Sequence, residues 1–131
     1  MRTTGAVLLA LLAIGGCAKD ETVAAYGGAD KVWRVVEIDG VPFGENATLT
    51  FPASGQIAGD GPCNGYSAEM TAPYPWFDAG PILATKKLCP DAASETLYFE
   101  ALENVSLSEV LRDTMILSTP EGRSIIFKAG G

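Results

Sequence analysis

The chain has 131 residues, 16 acidic against 9 basic side chains, no histidine and a formal net charge of −7. That length holds one small domain with no room for a second core, and the acid excess argues against nucleic acid or anionic headgroups as electrostatic partners. The lack of histidine removes Cys-His pairs and every Ser-His-Asp arrangement together.

The first residues speak to compartment. Met1-Arg2 supplies a positive start, and the apolar run 5–14, GAVLLALLAI, has the length of a secretory signal. It is too short to span a bilayer, which takes about 20 apolar residues. The run ends Ile14-Gly15-Gly16-Cys17, which resembles the bacterial lipobox: a branched apolar residue, two small ones, then the cysteine that is lipidated after cleavage. The expectation is a signal peptide over 1–16 and a membrane partner reached through acyl chains on Cys17. Each methylene they bury contributes about 0.8 kcal/mol. Ala18 stands where an aspartate marks inner-membrane retention in lipoproteins of the enterobacterial type. Its presence favours the outer membrane, facing the periplasm. Residues 17–30 show neither helical nor strand period and read as a tether, leaving 31–129 as the domain.

From Lys31 the pattern is mostly short strands. The run 31–38, KVWRVVEI, is rich in β-branched residues and stops at Asp39-Gly40, a turn pair. In 47–51, ATLTF, Leu49 and Phe51 alternate with Thr48 and Thr50, the period of a half-buried strand. A third strand, 56–58, enters GDGPCNGY at 59–66, where Asn64-Gly65 suits a turn with positive φ at both positions and predicts a return strand over 66–71. Pro73 and Pro75 exclude a central strand over 73–77, because each lacks a ladder donor. That stretch reads as an edge or loop whose aromatics fold back over the core. Tyr74, Trp76 and Phe77 are the candidate contacts for an apolar ligand or a partner, with packing as the plainer reading.

One helix is expected, over 91–103. Leu97, Tyr98, Ala101 and Leu102 recur at helical steps, Val105 extends the stripe, and Glu95, Glu100 and Glu103 take the polar side. Asp91 is placed to cap its first turn. Strands 106–111, 115–119 and 124–128 follow, the last two forming a hairpin through 120–123. Strands on both sides of one helix predict a mainly β, α+β fold: a small antiparallel, lipocalin-like barrel or strongly curved sheet with one amphipathic helix. If Trp33, Leu49, Phe51, Leu117 and Phe127 all point inward, they fill it.

These residues together resemble the META domain family, whose bacterial members include HslJ-type lipoproteins. The resemblance runs from Lys31 to Lys128 and rests on Trp33 with Ile38-Asp39-Gly40, on Leu49 to Phe51, on the glycine-rich turn leading to Cys63-Asn64, on TKKLC at 85–89, on the helix and on the closing hairpin. Pro62, Ala68 and Lys87 depart from the family pattern, in which glycine, glycine and an apolar residue are usual. The resemblance implies a lipocalin-like barrel with a helix, an envelope location, links to stress tolerance and no established enzymatic activity.

Cys63 and Cys89 are left once Cys17 is acylated. A disulfide is the economical reading in an oxidising envelope, and two buried free thiols or a redox or metal role are the alternatives. No CxxC motif occurs. For a metal, Asp60, Asp91 and Glu95 are the only nearby carboxylates, short of a dense ligand cluster; no metal and no cofactor is expected. Glu100 and Glu103 read as solvated, and the sequons at Asn46 and Asn104 as chance matches in such a protein. The functional expectation is a non-catalytic envelope lipoprotein that meets another envelope protein, with a carrier or pilot-like module for a lipid or small apolar ligand as the alternative.

Overall fold

Among the described residues six strands precede the α-helix: β1 (Trp33–Ile38), β2 (Val41–Pro42), β3 (Thr48–Ala53), β4 (Gln56–Asp60), β5 (Gly65–Glu69) and β6 (Leu83–Ala84). The helix α1 (Ala93–Asn104) leads into β7 (Leu107–Leu111), β8 (Thr114–Ser118) and β9 (Ser124–Ala129). The computed structural model describes residues 19–90 and 92–130. The expected signal segment, the expected lipidation site Cys17 and the expected cap Asp91 therefore lie outside the described residues. All strand pairs are antiparallel, in the order β6-β5-β4-β3-β1-β9-β8-β7, with β2 on the end of β1. The β1–β9 pair thus joins an N-terminal and a C-terminal meander.

The sheet is curled rather than closed into a barrel by a continuous ladder, so of the two expected forms the curved sheet is the one adopted. Residues 73–80 lace its two ends together. The Ser108 N–H donates to the Pro75 carbonyl at 2.7 Å, Phe77 to Ser106 at 3.0 Å, and Gly80 to Glu69 of β5 at 2.9 Å. A strap of this kind suits a segment holding two prolines, which cannot supply a full ladder.

Local chemistry explains most elements. Asp39 and Gly40 both take positive φ, 53° and 80°, in the two-residue turn between Ile38 and Val41, the geometry that matches strand twist. Within β1 the register with β9 shifts between Val35 and Glu37. This bulge lets Val35 and Ile38 both face the core although they stand an odd number of positions, three, apart. The Asn64-Gly65 pair behaves differently from expectation, since neither residue has positive φ. Instead the Gly61 N–H donates to the Asn64 carbonyl at 2.8 Å, and Gly65 opens β5. A longer turn wins because Asn64 is held by partners from elsewhere in the chain.

The helix lies across the inner face of the sheet. Its Tyr98 ring meets Tyr66 of β5 and Phe127 of β9 edge-on, with centroids 5.7 and 6.5 Å away. Tyr98, Ala101, Leu102 and Val105 are buried as the stripe requires. Its first turn is corrected: Leu97 is 42% exposed, whereas Glu95, expected on the polar side, is only 8% exposed. Trp33, Leu49, Leu117 and Phe127 all fill the interior, joined by Tyr98, Phe77 and Met70, while Phe51 packs half-buried at its margin.

Much of the expected tether is part of the domain. A 3₁₀ helix, Val23–Tyr26, is capped by the Thr22 hydroxyl, and Val23 is fully buried. The Trp33 indole N–H donates to the Gly28 carbonyl at 2.8 Å, which gives the buried ring's polar atom its partner. The window 17–30, which shows no period, hides the deeply inserted Val23, and so the segment reads as linker from sequence. Val23→Ala should cost about 2 kcal/mol through lost transfer energy and a partly relaxed cavity. Urea denaturation of the domain will show it as a lower midpoint at unchanged slope.

Candidate functional site

The chemistry of the chain gathers where the Gly61–Asn64 turn, the 85–89 segment and the first turn of α1 meet. Cys63 and Cys89 are joined in a disulfide with their Cα atoms 6.1 Å apart. The bond ties the β4–β5 turn to the segment just before the helix. Both sulfurs are consumed by it, so neither is a free thiolate nucleophile or metal ligand.

Glu95 is the residue around which this junction is built. Its Oε1 accepts the Cys63 N–H at 2.9 Å and the Asn64 N–H at 2.7 Å, and its Oε2 accepts the Asn64 side-chain amide at 2.8 Å. Asn64 in turn holds the third piece: its Oδ1 accepts the Thr85 hydroxyl at 2.8 Å and the Lys87 N–H at 2.7 Å. Gly61 is required here, because a Cβ would sit 2.5 Å from Glu95 Oε1 and 3.0 Å from the Phe99 ring. Burial pushes the Glu95 carboxyl up, but the hydrogen bonds from Asn64 and Cys63, helped by the Lys87 charge, outweigh it and hold the group below its ordinary value. A carboxylate held ionised by three donors is poorly matched to proton transfer near neutrality. Its chemistry is that of a brace.

Beneath the brace lies a pair of phenols. Tyr66 donates to the Thr48 carbonyl at 2.7 Å, and the Tyr66 and Tyr98 hydroxyl oxygens stand 2.6 Å apart. Burial raises both pKa values above the ordinary tyrosine value, so both stay neutral and each finds a partner inside the core. Thr48 thereby anchors β3, β5 and α1 to one carbonyl.

The three expected aromatic contacts separate. Phe77 is a core residue, 1% exposed. Tyr74 is half-buried, stacks on Tyr26 with ring centroids 4.7 Å apart, and its hydroxyl oxygen accepts the Val110 N–H at 3.4 Å. Trp76 alone of the three projects outward, 57% exposed. Glu100 and Glu103 are exposed on the outer side of α1, and Glu103 accepts the Ile82 N–H at 3.2 Å. Among the described residues no group of three or more Cys, Asp or Glu side chains is placed to hold a metal ion, and no helix is long and apolar enough to cross a membrane.

Sequence reasoning found the two cysteines but missed Glu95 and the role of Asn64. A signal existed for the first: Glu95 precedes Tyr98 by three and Leu102 by seven, and so falls on the buried stripe. Charge alone had assigned it outward. For Asn64 no local pattern distinguishes a side chain that bonds across the fold from one that shapes its own turn.

The fold has relatives among solved structures. An NMR structure of a protein from Burkholderia xenovorans is similar at a TM-score of 0.64 with 20% identity, covering 92% of this chain and 97% of that one. The crystal structure of a DUF4847 family protein from Bacteroides vulgatus reaches a TM-score of 0.65 at 15% identity, covering 83% and 97% of the two chains. At such identities the likeness is one of fold alone. No curated protein matches the chain. The model of the META domain matches residues 28–130, taking in the sheet, the crosslinked turn, the brace and the helix, and the chain belongs to the META domain family.

Proposed function

We propose that this META-domain protein is a non-catalytic lipoprotein of the bacterial cell envelope, anchored through Cys17 at the outer membrane and serving envelope stress tolerance by meeting another envelope protein. The observation that carries the reading is the Cys63–Cys89 disulfide, a crosslink that persists in oxidising compartments and rarely in a reducing cytosol. The lipobox at 14–17 supports the same compartment. Leu83 and Leu88, both well exposed next to the crosslinked segment, offer apolar contacts on a rigid support to a protein partner.

The carrier alternative draws less support. Trp33, Tyr98, Phe77, Phe127 and Leu49 occupy the interior where a ligand would sit, and a groove of about 390 Å³ beside Leu83 is open and on the outer side. A lipid chain needs an enclosed apolar site.

Metabolic labelling with an alkyne-bearing palmitate, followed by membrane fractionation, tests the anchor. Label on the wild type in the outer-membrane fraction, and none on Cys17→Ser, is the expected result. An unlabelled protein in the cytosol with free Cys63 and Cys89 thiols would overturn the reading.

A further inference from the structure

We infer that the acyl anchor presses one particular face of the domain onto the bilayer: the face around the chain's exit, which carries the aromatic rings of Tyr26, Tyr74 and Trp76. The inference rests on acylation of Cys17 and adds to it an orientation, with a phospholipid surface as the occupant of that face.

The length of free chain sets the geometry. Asp20 is already part of the domain, since its carboxylate accepts the Thr22 N–H at 2.9 Å. The next residue is pinned as well, its carbonyl accepting the Tyr74 N–H at 2.7 Å. From the Asp20 Cα to the Cys17 Cα, three peptide units reach at most about 11 Å. A freely jointed linker of 14 residues would instead allow an r.m.s. span of about 20 Å and every orientation. The short leash confines the domain to the membrane surface and selects the side from which the chain emerges.

That side carries the chemistry of a bilayer interface. Pro73 lines the same surface groove as Asp20 and Glu21. Trp76 closes a turn on Pro73, its N–H donating to the Pro73 carbonyl at 2.7 Å, which keeps their Cα atoms within about 7 Å. Tyr26, 54% exposed, lies flat on Tyr74. Trp and Tyr are the residues that settle at headgroup depth, with an apolar body and a polar atom facing water. Charge does not supply the contact, because Asp20 and Glu21 stand at the exit and the whole chain is acidic; the anchor and the rings do.

The chain's two tryptophans make the test direct, as Trp33 is fully buried and Trp76 exposed. The acylated protein, its Cys17 modification verified by mass spectrometry, is placed in vesicles of phosphatidylethanolamine and phosphatidylglycerol with brominated acyl chains. Trp76→Phe supplies the emission of Trp33 alone. The Trp76 component should be quenched about twofold relative to unbrominated vesicles, as for a ring at the interface. Inserting twelve Gly and Ser residues after Ala18 should restore it while leaving the acylation intact. Unquenched Trp76 in acylated protein, or equal quenching with and without the insert, overturns the orientation and leaves the anchor standing. A Cys17 without acyl chains in cells overturns both readings together.

Discussion

Glu95→Ala is expected to lower the stability of the domain by about 4 kcal/mol, because it strips partners from three donors at once and hydrogen bonds to a charged acceptor contribute about 1.5–3 kcal/mol each. The donors are the N–H groups of Cys63 and Asn64 and the Asn64 amide, none of which has another acceptor of comparable geometry. The sum of the three is not reached, since the turn can loosen and admit water. In a domain of this size the loss corresponds to a fall in melting temperature of roughly 20 °C. Glu95→Gln should lose less in total yet remain impaired, because its NH₂ group must face one of the donors. Calorimetry of the three proteins checks the order.

The same carboxylate makes the stability depend on acid. Its folded pKa lies below the ordinary 4.5, so its contribution is complete above that value and drains away as the pH falls through the lower, folded value. Asp39 acts with the same sign: its hydrogen bonds and ion pair with Arg123, with Nη2 3.0 Å from Oδ2, also lower its pKa. Urea midpoints measured between pH 7 and pH 3 should therefore decline below about pH 4.5 in the wild type. The decline should be shallower in Glu95→Gln, with the part due to Asp39 remaining. A parallel decline in both proteins would show that the Glu95 brace is not formed.

Removing the crosslink is the second large change. Reduction, or the paired replacement Cys63→Ser with Cys89→Ser, frees a loop whose ends are 26 residues apart, and the chain-entropy account assigns such a closure about 3.5 kcal/mol. The loss should appear as a lower urea midpoint with a steeper slope, because the unfolded chain expands further without its bridge. Glu95 and the disulfide hold the same turn, so their removals should not add. A double-mutant cycle is expected to give a coupling of about 1–2 kcal/mol. Strict additivity would mean that the two restraints act on independently mobile pieces, contrary to the shared contact at Cys63.

Periodicity carried far in this chain wherever a segment's own neighbours decide its structure. The strand at Thr48–Phe51, the Asp39-Gly40 turn, the closing hairpin and the stripe Tyr98, Ala101, Leu102 were legible because each depends on contacts a few residues away, although Thr48 is buried beside Leu49 where alternation had sent it outward. The failures have one cause. Val23, Glu95 and Asn64 are placed by partners tens of residues distant, and no local pattern records a partner. Val23 sits in a stretch with linker composition, Glu95 carries a charge that ordinarily points to water, and Asn64 precedes a glycine in what looks like a self-contained turn.

By itself the sequence determined a mainly β fold with one α-helix, an even pair of cysteines and, ahead of them, a run at 14–17 that resembles a lipobox, since spacing and residue type encode local geometry. Only the tertiary structure decided that the sheet curls without closing, that a buried carboxylate braces the crosslinked turn, and that folded chain begins within three residues of Cys17. Those features arise from desolvation and long-range hydrogen bonding, in which a polar group takes whichever distant donors the fold brings to it.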